Sequence, residues 1–269
     1  MFSTPTHALE HFYYGQLFYQ GMPQGELRLL ASSPGVQPDH VAEAAQKAAI
    51  PAMAAVPTGS WALVRGESVP FLLVQAQNGS RGQAMRHIVL MPVDILRALG
   101  GNLKALTKLI EVQMPVYEQV GQTIPLLQLA QAAQPDAEAQ ETAMLGLMTA
   151  TRDRLDVIES LLAAIVQGVQ VVVKGAPPEL AQRVAFVEGL LALLPPPARF
   201  GVTFATHTLP STQIEAQIRF FTDDTAPANA LVYYWDEARL EGVQVEDEYS
   251  RFIRSQLRLD TGLVIQQTT

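Results

Sequence analysis

The sequence contains no cysteine. Disulfide staples, thiolate metal sites and cysteine nucleophiles are therefore excluded. Lysine is scarce, supplying four of the eighteen basic residues. No uninterrupted apolar run reaches the ~18 residues a membrane-spanning helix needs. The opening MFSTPTHALEHF has no positive start followed by an apolar stretch, so no signal peptide is read. These features lead to the expectation of a cytoplasmic protein. The common catalytic and nucleotide-binding signatures are also missing: there is no GxxxxGK[ST], no GxGxxG after a strand, no GxSxG and no HExxH. In residues 100–108, GGNLKALTK, glycines and lysines stand in the wrong order for a phosphate loop and read as a turn between helices. Neither a cofactor nor a metal is expected.

What is present is a chain of 269 residues, 48% apolar and 16% charged. A chain of that size buries roughly 75% of its unfolded surface, so a substantial core is expected. The formal net charge is -8. Residues 1–134 hold eight basic and eight acidic residues, whereas 135–269 hold ten and eighteen, so the excess charge sits wholly in the second half. That balance argues against nucleic acid as a partner, because phosphate binding needs a basic surface. Residues 236–248 carry six acids against the single base Arg239, which reads either as a solvated loop and helix start or as a surface attracting a basic partner.

Along the chain, residues 12–19 (FYYGQLFY) read as an aromatic strand covered on both faces. The glycines and proline of 21–25 break it before a second strand at 27–32, giving a hairpin. Asp39 is the expected cap of a helix to about residue 49. Three further strands are read at 60–66, 70–77 and 86–91, and short helices at 92–100 and 103–112. Residues 113–135, with three prolines, read as a connection. From Met144 to Ile165 apolar residues recur every three or four positions, predicting one long helix capped by Asp136 and ended by Gly168. At 1.5 Å per residue it would run roughly 45 Å. Residues 169–173 predict a buried strand, 180–194 an amphipathic helix, 200–204 an alternating strand, 214–220 a strictly alternating one, and 230–235 another. Residues 246–257 predict a helix with Tyr249, Phe252, Ile253 and Leu257 inward. Residues 263–265 begin a further apolar element.

The expected fold class is α+β in two domains. Residues 1–112 form a mostly antiparallel sheet with helices, 113–135 connect, and 136–269 form a mixed sheet packed by the long helix and a second amphipathic one.

His87 stands beside Arg81 and Arg86 at the entry to an apolar strand, and the three form a candidate anion or partner site. Strand alternation directs Arg86 and His87 to opposite faces, which weighs against it. His207, in TFATHT, is a further candidate or a strand-end polar group. His7 and His11 have the spacing of a helical metal pair but stand at the weakly patterned N-terminus. Asp223 and Asp224 read as a solvated turn.

Three segments carry a family pattern. They are 15–41, with Ala31-Ser32-Ser33-Pro34-Gly35; 80–92, with His87 before an apolar strand; and 193–208, LLPPPARFGVTFATHT, where Leu194-Pro195 through Thr206 match. In this order they resemble the N-terminal and middle domains of the bacterial GTPase-associated protein family. Gln83 and Met85 stand where that family favours Asn and an aromatic, and Arg86 precedes the histidine. The resemblance implies a component working beside a small GTPase in multi-component conflict or signalling systems. It carries no catalytic residue over.

Three functions follow as expectations. The first is a non-enzymatic adaptor binding a protein partner, a small GTPase by the resemblance, with no nucleic acid or membrane partner. The second is a ligand-sensing or hydrolytic domain for a phosphate-bearing molecule using Arg81, Arg86 and His87. The third is an oligomer subunit joined through the aromatic 12–19 strand as an edge.

Overall fold

A computed structural model describes residues 6–20, 22–49, 59–78, 83–110, 114–130, 133–208, 214–221, 227–259 and 264. The architecture is α+β, with one mostly antiparallel and one mixed sheet. The chain divides into two compact units. The first comprises Met1–Ile95, Lys104–Ala132 and Thr212–Glu215; the second comprises Leu96–Leu103, Ala133–Ser211 and Ala216–Thr269.

In the first unit the described strands are β1 (Thr6–Leu9), β2 (His11–Tyr19), β3 (Met22–Ser32), β4 (Ser60–Arg65), β5 (Phe71–Asn78), β6 (Ala84–Met91), β7 (Gln122–Thr123) and β8 (Leu127–Ala130). The helices are α1 (Pro38–Lys47), α2 (Val93–Leu99), which runs on into the second unit, and α3 (Leu103–Ile110). The main sheet runs β4-β5-β6-β2-β3-β7, antiparallel except at β7. A small ribbon pairs β1 with β8. Strands β4, β5 and β6 are buried on both faces over most of their length, as near-continuous apolar runs require. Gly15 meets β6 closely: a Cβ there would lie 2.7 Å from the Ala84 carbonyl oxygen.

Four expectations for this unit are corrected. Strand β2 is flanked by β3 and, over His11–Gly15, by β6, so Phe12, Tyr13 and Tyr14 lie inside the sheet and not on an edge. Strand β3 begins at Met22, and the ladder shifts register between Gly15 and Leu17. Gly25, at φ +71°, is taken up in that irregularity, so the sequence break becomes a bulge inside the strand. Helix α1 is capped by Gln37, with Pro38 in its first turn. Asp39 therefore lies inside the helix, where it complements the positive end of the dipole. The stretch read as a connection contributes β7 and β8.

In the second unit α4 (Ala137–Ala150), α5 (Leu155–Val166), β9 (Gln170–Lys174), α6 (Leu180–Ala192) and α7 (Pro196–Arg199) come first. They are followed by β10 (Phe204–Thr208), β11 (Ile218–Phe221), β12 (Ala230–Tyr234), β13 (Arg239–Gly242) and α8 (Glu248–Leu257). Its sheet runs β13-β12-β9-β11-β10, parallel except for β13. Strand β9 is central, and Val171, Val172 and Val173 are fully buried, as the wholly apolar run predicts. Helix α6 lies against α4 at Gly189, where a Cβ would sit 2.5 Å from the Leu147 Cβ. Helix α5 packs against α8.

The predicted long helix is two helices. The apolar period continues across the break, but Arg152 and Asp153 have φ of +54° and +55°. Non-glycine residues adopt that conformation at a cost of order 1–2 kcal/mol each. Bonds offset it: Thr151 Oγ1 donates to the Leu147 carbonyl at 2.9 Å, and the Asp153 N–H to Met148 O at 2.8 Å. The Arg152 and Arg154 guanidiniums reach the carbonyls of Asp236 and Ala238. Asp136 caps α4, accepting from the Ala139 N–H at 2.8 Å, and Gly168, at φ +70°, follows the end of α5.

Two strand expectations are shortened. Residues 214–217 alternate in sequence, yet the ladders of β11 begin at Ile218, which stands opposite Val171 of β9 on one side and Phe204 of β10 on the other. Pro196 starts a helical turn, so Phe200 follows α7 and strand β10 begins at Phe204. Residues 223–224 and most of 263–265 lie outside the described residues. Among the described residues, no helix is long and apolar enough to cross a membrane.

Candidate functional site

His87 lies on β6, 1% exposed, opposite Tyr13 on β2 and Gln75 on β5. Its ring stacks on Tyr13 with centroids 4.5 Å apart and planes 12° off parallel. Its Nε2 is 2.8 Å from His11 Nδ1, and His11 Nε2 is 2.8 Å from the Pro125 carbonyl oxygen. A carbonyl only accepts, so His11 Nε2 carries a hydrogen. In the neutral ring His11 Nδ1 then accepts, and His87 Nε2 donates to it. The chain of bonds therefore runs from β6 through β2 to the segment before β8. Burial pushes His87 down to about 3, with the neighbouring His11 acting the same way. Burial also lowers His11, against the opposing pull of the Pro125 carbonyl and Glu10. Both rings are thus neutral at pH 7, and both nitrogens of His11 and the Nε2 of His87 are spent on internal bonds. Tyr117 packs beside Tyr13 at 5.6 Å, and its carbonyl accepts from the Phe18 N–H at 3.0 Å.

The Ser33-Pro34-Gly35 turn serves the same junction. Ser33 Oγ accepts from the His11 N–H at 2.8 Å and donates to the Glu10 carboxylate. The Gly35 N–H donates to that carboxylate at 3.0 Å. A Cβ on Gly35 would lie 2.3 Å from Glu10 Oε1, so a larger residue there displaces that carboxylate. The motif read as a family signature is thus a knot joining the end of β3 to the start of β2.

Arg86 and His87 are consecutive residues of a regularly paired strand and project to opposite faces. Arg81 lies outside the described residues. The structure therefore does not bring Arg86 and His87 together. Burial lowers Arg86, while Tyr14 favours its charge. His207 belongs to the second unit, on β10, and is 1% exposed. Its Nδ1 lies 3.1 Å from Thr206 Oγ1, and its Nε2 is buried. Burial pushes His207 down to about 3, helped by the Arg183 charge and opposed by the Pro178 backbone. Arg183 clamps the loop between β9 and α6, donating to the carbonyls of Pro177 (2.6 Å), Ala176 (3.1 Å) and Thr206.

Sequence reasoning missed two groups. The spacing of His7 and His11 suggests a helical pair, but the two lie on separate strands in different sheets. The second group is on α8. Its inner face buries Ser250, Ile253 and Leu257, and Asp247 caps it, accepting from the Ser250 N–H at 3.0 Å. Its outer face carries Arg251, Arg254, Ser255 and Arg258, which with Glu159 of α5 line an open recess of about 370 Å³. Arg254 pairs with Glu159 and Arg251 with Glu246. Arg258 is exposed. Phe252, expected inward, is 42% exposed on the flank of this face, and Leu259 is 74% exposed. The available signal was the spacing of Arg251, Arg254 and Arg258, which places three cations along one helix face.

Among the described residues, no cluster of three or more histidine or acidic side chains is arranged to hold a metal ion. No protein-family model matches the chain, and no curated protein matches it.

Proposed function

We propose that this chain is a non-enzymatic, protein-binding adaptor that meets its partner through the outer face of α8. The observation that carries the reading is the arginine-lined recess between α8 and α5, flanked by exposed Phe252 and Leu259. Arginine and aromatic side chains are the groups most enriched where proteins bind one another tightly. His87 and His11 also support the reading, since His87 Nε2 and both ring nitrogens of His11 are engaged in holding the first unit together. The partner is a small GTPase of a bacterial conflict or signalling system, working in the cytoplasm; the three ordered motifs support this part. The reading with Arg81, Arg86 and His87 on a phosphate-bearing ligand is set aside, because Arg86 and His87 face opposite ways.

The test is calorimetry and gel filtration of the purified chain with the small GTPase from its own cell, in the GDP and GTP states. Micromolar binding that Arg251→Glu weakens is the expected result. Absence of binding in both nucleotide states overturns the GTPase assignment, and binding that Arg251→Glu leaves unaltered overturns the α8 face.

A further inference from the structure

Resting on the reading of α8 as the interaction face, we infer that the recess takes an acidic peptide segment, whose carboxylates pair with Arg251, Arg254 and Arg258 while apolar residues beside them cover Phe252 and Leu259. The charge is the first argument. The recess is lined by three guanidiniums and one carboxylate, in the half of the chain that carries all the excess negative charge. A surface that otherwise repels acidic partners attracts them here, and local complementarity sets specificity and approach rate.

Length is the second argument. From Arg251 to Arg258 the helix rises about 10 Å, more than one oxyanion spans. Alternate side chains of an extended peptide lie about 7 Å apart, so two acidic residues on one face reach neighbouring arginines. Bidentate pairing of guanidinium with carboxylate gives each contact a defined geometry.

Phe252 and Leu259 are exposed on the flank of the arginine row, 42% and 74%. A peptide with apolar residues among its acids covers them, whereas a free phosphate leaves them in water. Nucleic acid and anionic membranes demand an extended basic field, and the acids at 236–248 oppose one.

Glu159 already does within the molecule what the peptide would do. Its carboxylate holds Arg254, so an incoming carboxylate must displace it. Substituting Glu159 by glutamine frees Arg254, and a gain in binding is a result that misfolding does not produce.

The experiment is fluorescence anisotropy of the full chain with a short fluorescein-labelled peptide alternating glutamate and leucine, with its glutamine–leucine counterpart as control. The expected result is binding of the acidic peptide alone, weakened by added salt. Arg251→Glu with Arg258→Glu lowers affinity roughly tenfold or more, and Glu159→Gln raises it about two- to threefold. Phe252→Ala weakens the peptide without changing the response to inorganic tripolyphosphate. Equal binding of the control peptide, indifference to the double arginine variant with circular dichroism unchanged, or tighter binding of tripolyphosphate, a single-stranded oligonucleotide or phosphatidylserine vesicles would each overturn the inference. If the peptide binds but the small GTPase does not, the recess stands and the GTPase falls. If the GTPase binds and the peptide does not, the reverse holds.

Discussion

Arg199 and Arg251 belong to the same compact unit and carry the same side chain, yet they do opposite things. Arg199 is 2% exposed, and its guanidinium donates to the carbonyls of Leu194 (2.8 Å), Gly100 (3.3 Å) and Ala192 (3.4 Å) and to Gln140 Oε1 (3.3 Å). It satisfies the ends of surrounding elements and is thereby used up. Among the described residues Arg251 pairs with Glu246, across an exposed ion pair of the kind worth under about 1 kcal/mol. It can exchange that partner at little cost. The histidines repeat the contrast: His87 and His11 are charge-capable groups that burial has made into neutral cross-links. Burial, and not residue type, separates the polar groups that build this molecule from those available to others.

The largest effect should come from the buried side. Arg199→Leu leaves several carbonyls unsatisfied and should destabilise the second unit by about 3 kcal/mol or more, seen as a lower urea midpoint by circular dichroism. A stability change under about 1 kcal/mol would place Arg199 with the exposed arginines.

His87→Ala removes a stacked ring and leaves His11 Nδ1 without its donor. A loss of about 2–3 kcal/mol is expected, with the near-ultraviolet signal of Tyr13 altered. The pH dependence sharpens the point. His87 and His207, both pushed down to about 3 when folded, carry the unperturbed value near 6.5 when unfolded. The unfolded chain therefore binds more protons between those values. Their stabilisation is complete above pH ~6.5 and is lost as pH falls toward 3, at on the order of 1 kcal/mol per pH unit for each ring. Urea midpoints measured from pH 7 to pH 4 should decline, and His87→Phe should make the decline shallower. A slope identical in the two proteins would remove His87 from the account.

Gly189→Ala tests packing against propensity. Alanine is the better helix former by about 1 kcal/mol, but its Cβ would lie 2.5 Å from Leu147 Cβ and 2.6 Å from the Ala143 carbonyl oxygen. Net destabilisation of about 1–2 kcal/mol is expected, and a rise in melting temperature would contradict the close approach of α6 to α4. Asp136→Ala removes the α4 cap at about 1 kcal/mol. Smallest of all, Arg251→Ser should move stability by no more than about 0.5 kcal/mol while weakening the acidic peptide, so folding and binding separate at this residue.

Much of the secondary structure was legible because its signals are local. The aromatic run of β2, the apolar run of β9, the cap at Asp136 and the glycine after α5 each act within a few residues. The candidate site was far less legible. Strand alternation told Arg86 from His87, but nothing near His87 points to His11, 76 positions away. That pair exists because β2 inserts beside β6, a choice made by hydrogen-bonded pairing over the whole sheet. On α8 the arginine spacing was visible in the residues, yet whether those arginines were consumed, as Arg183 and Arg199 are, depended on which face α5 covers.

The amino-acid sequence by itself determined the α+β character, the acidic second half, the core strand β9 and most helix positions, since periodicity, capping and composition are properties of neighbouring residues. Only the tertiary structure decided that the long apolar period breaks at residues 151–154, that β2 is interior, and that His87 pairs with His11. Those outcomes balance local backbone cost against hydrogen bonds to segments distant in the chain, and no local pattern records the partner.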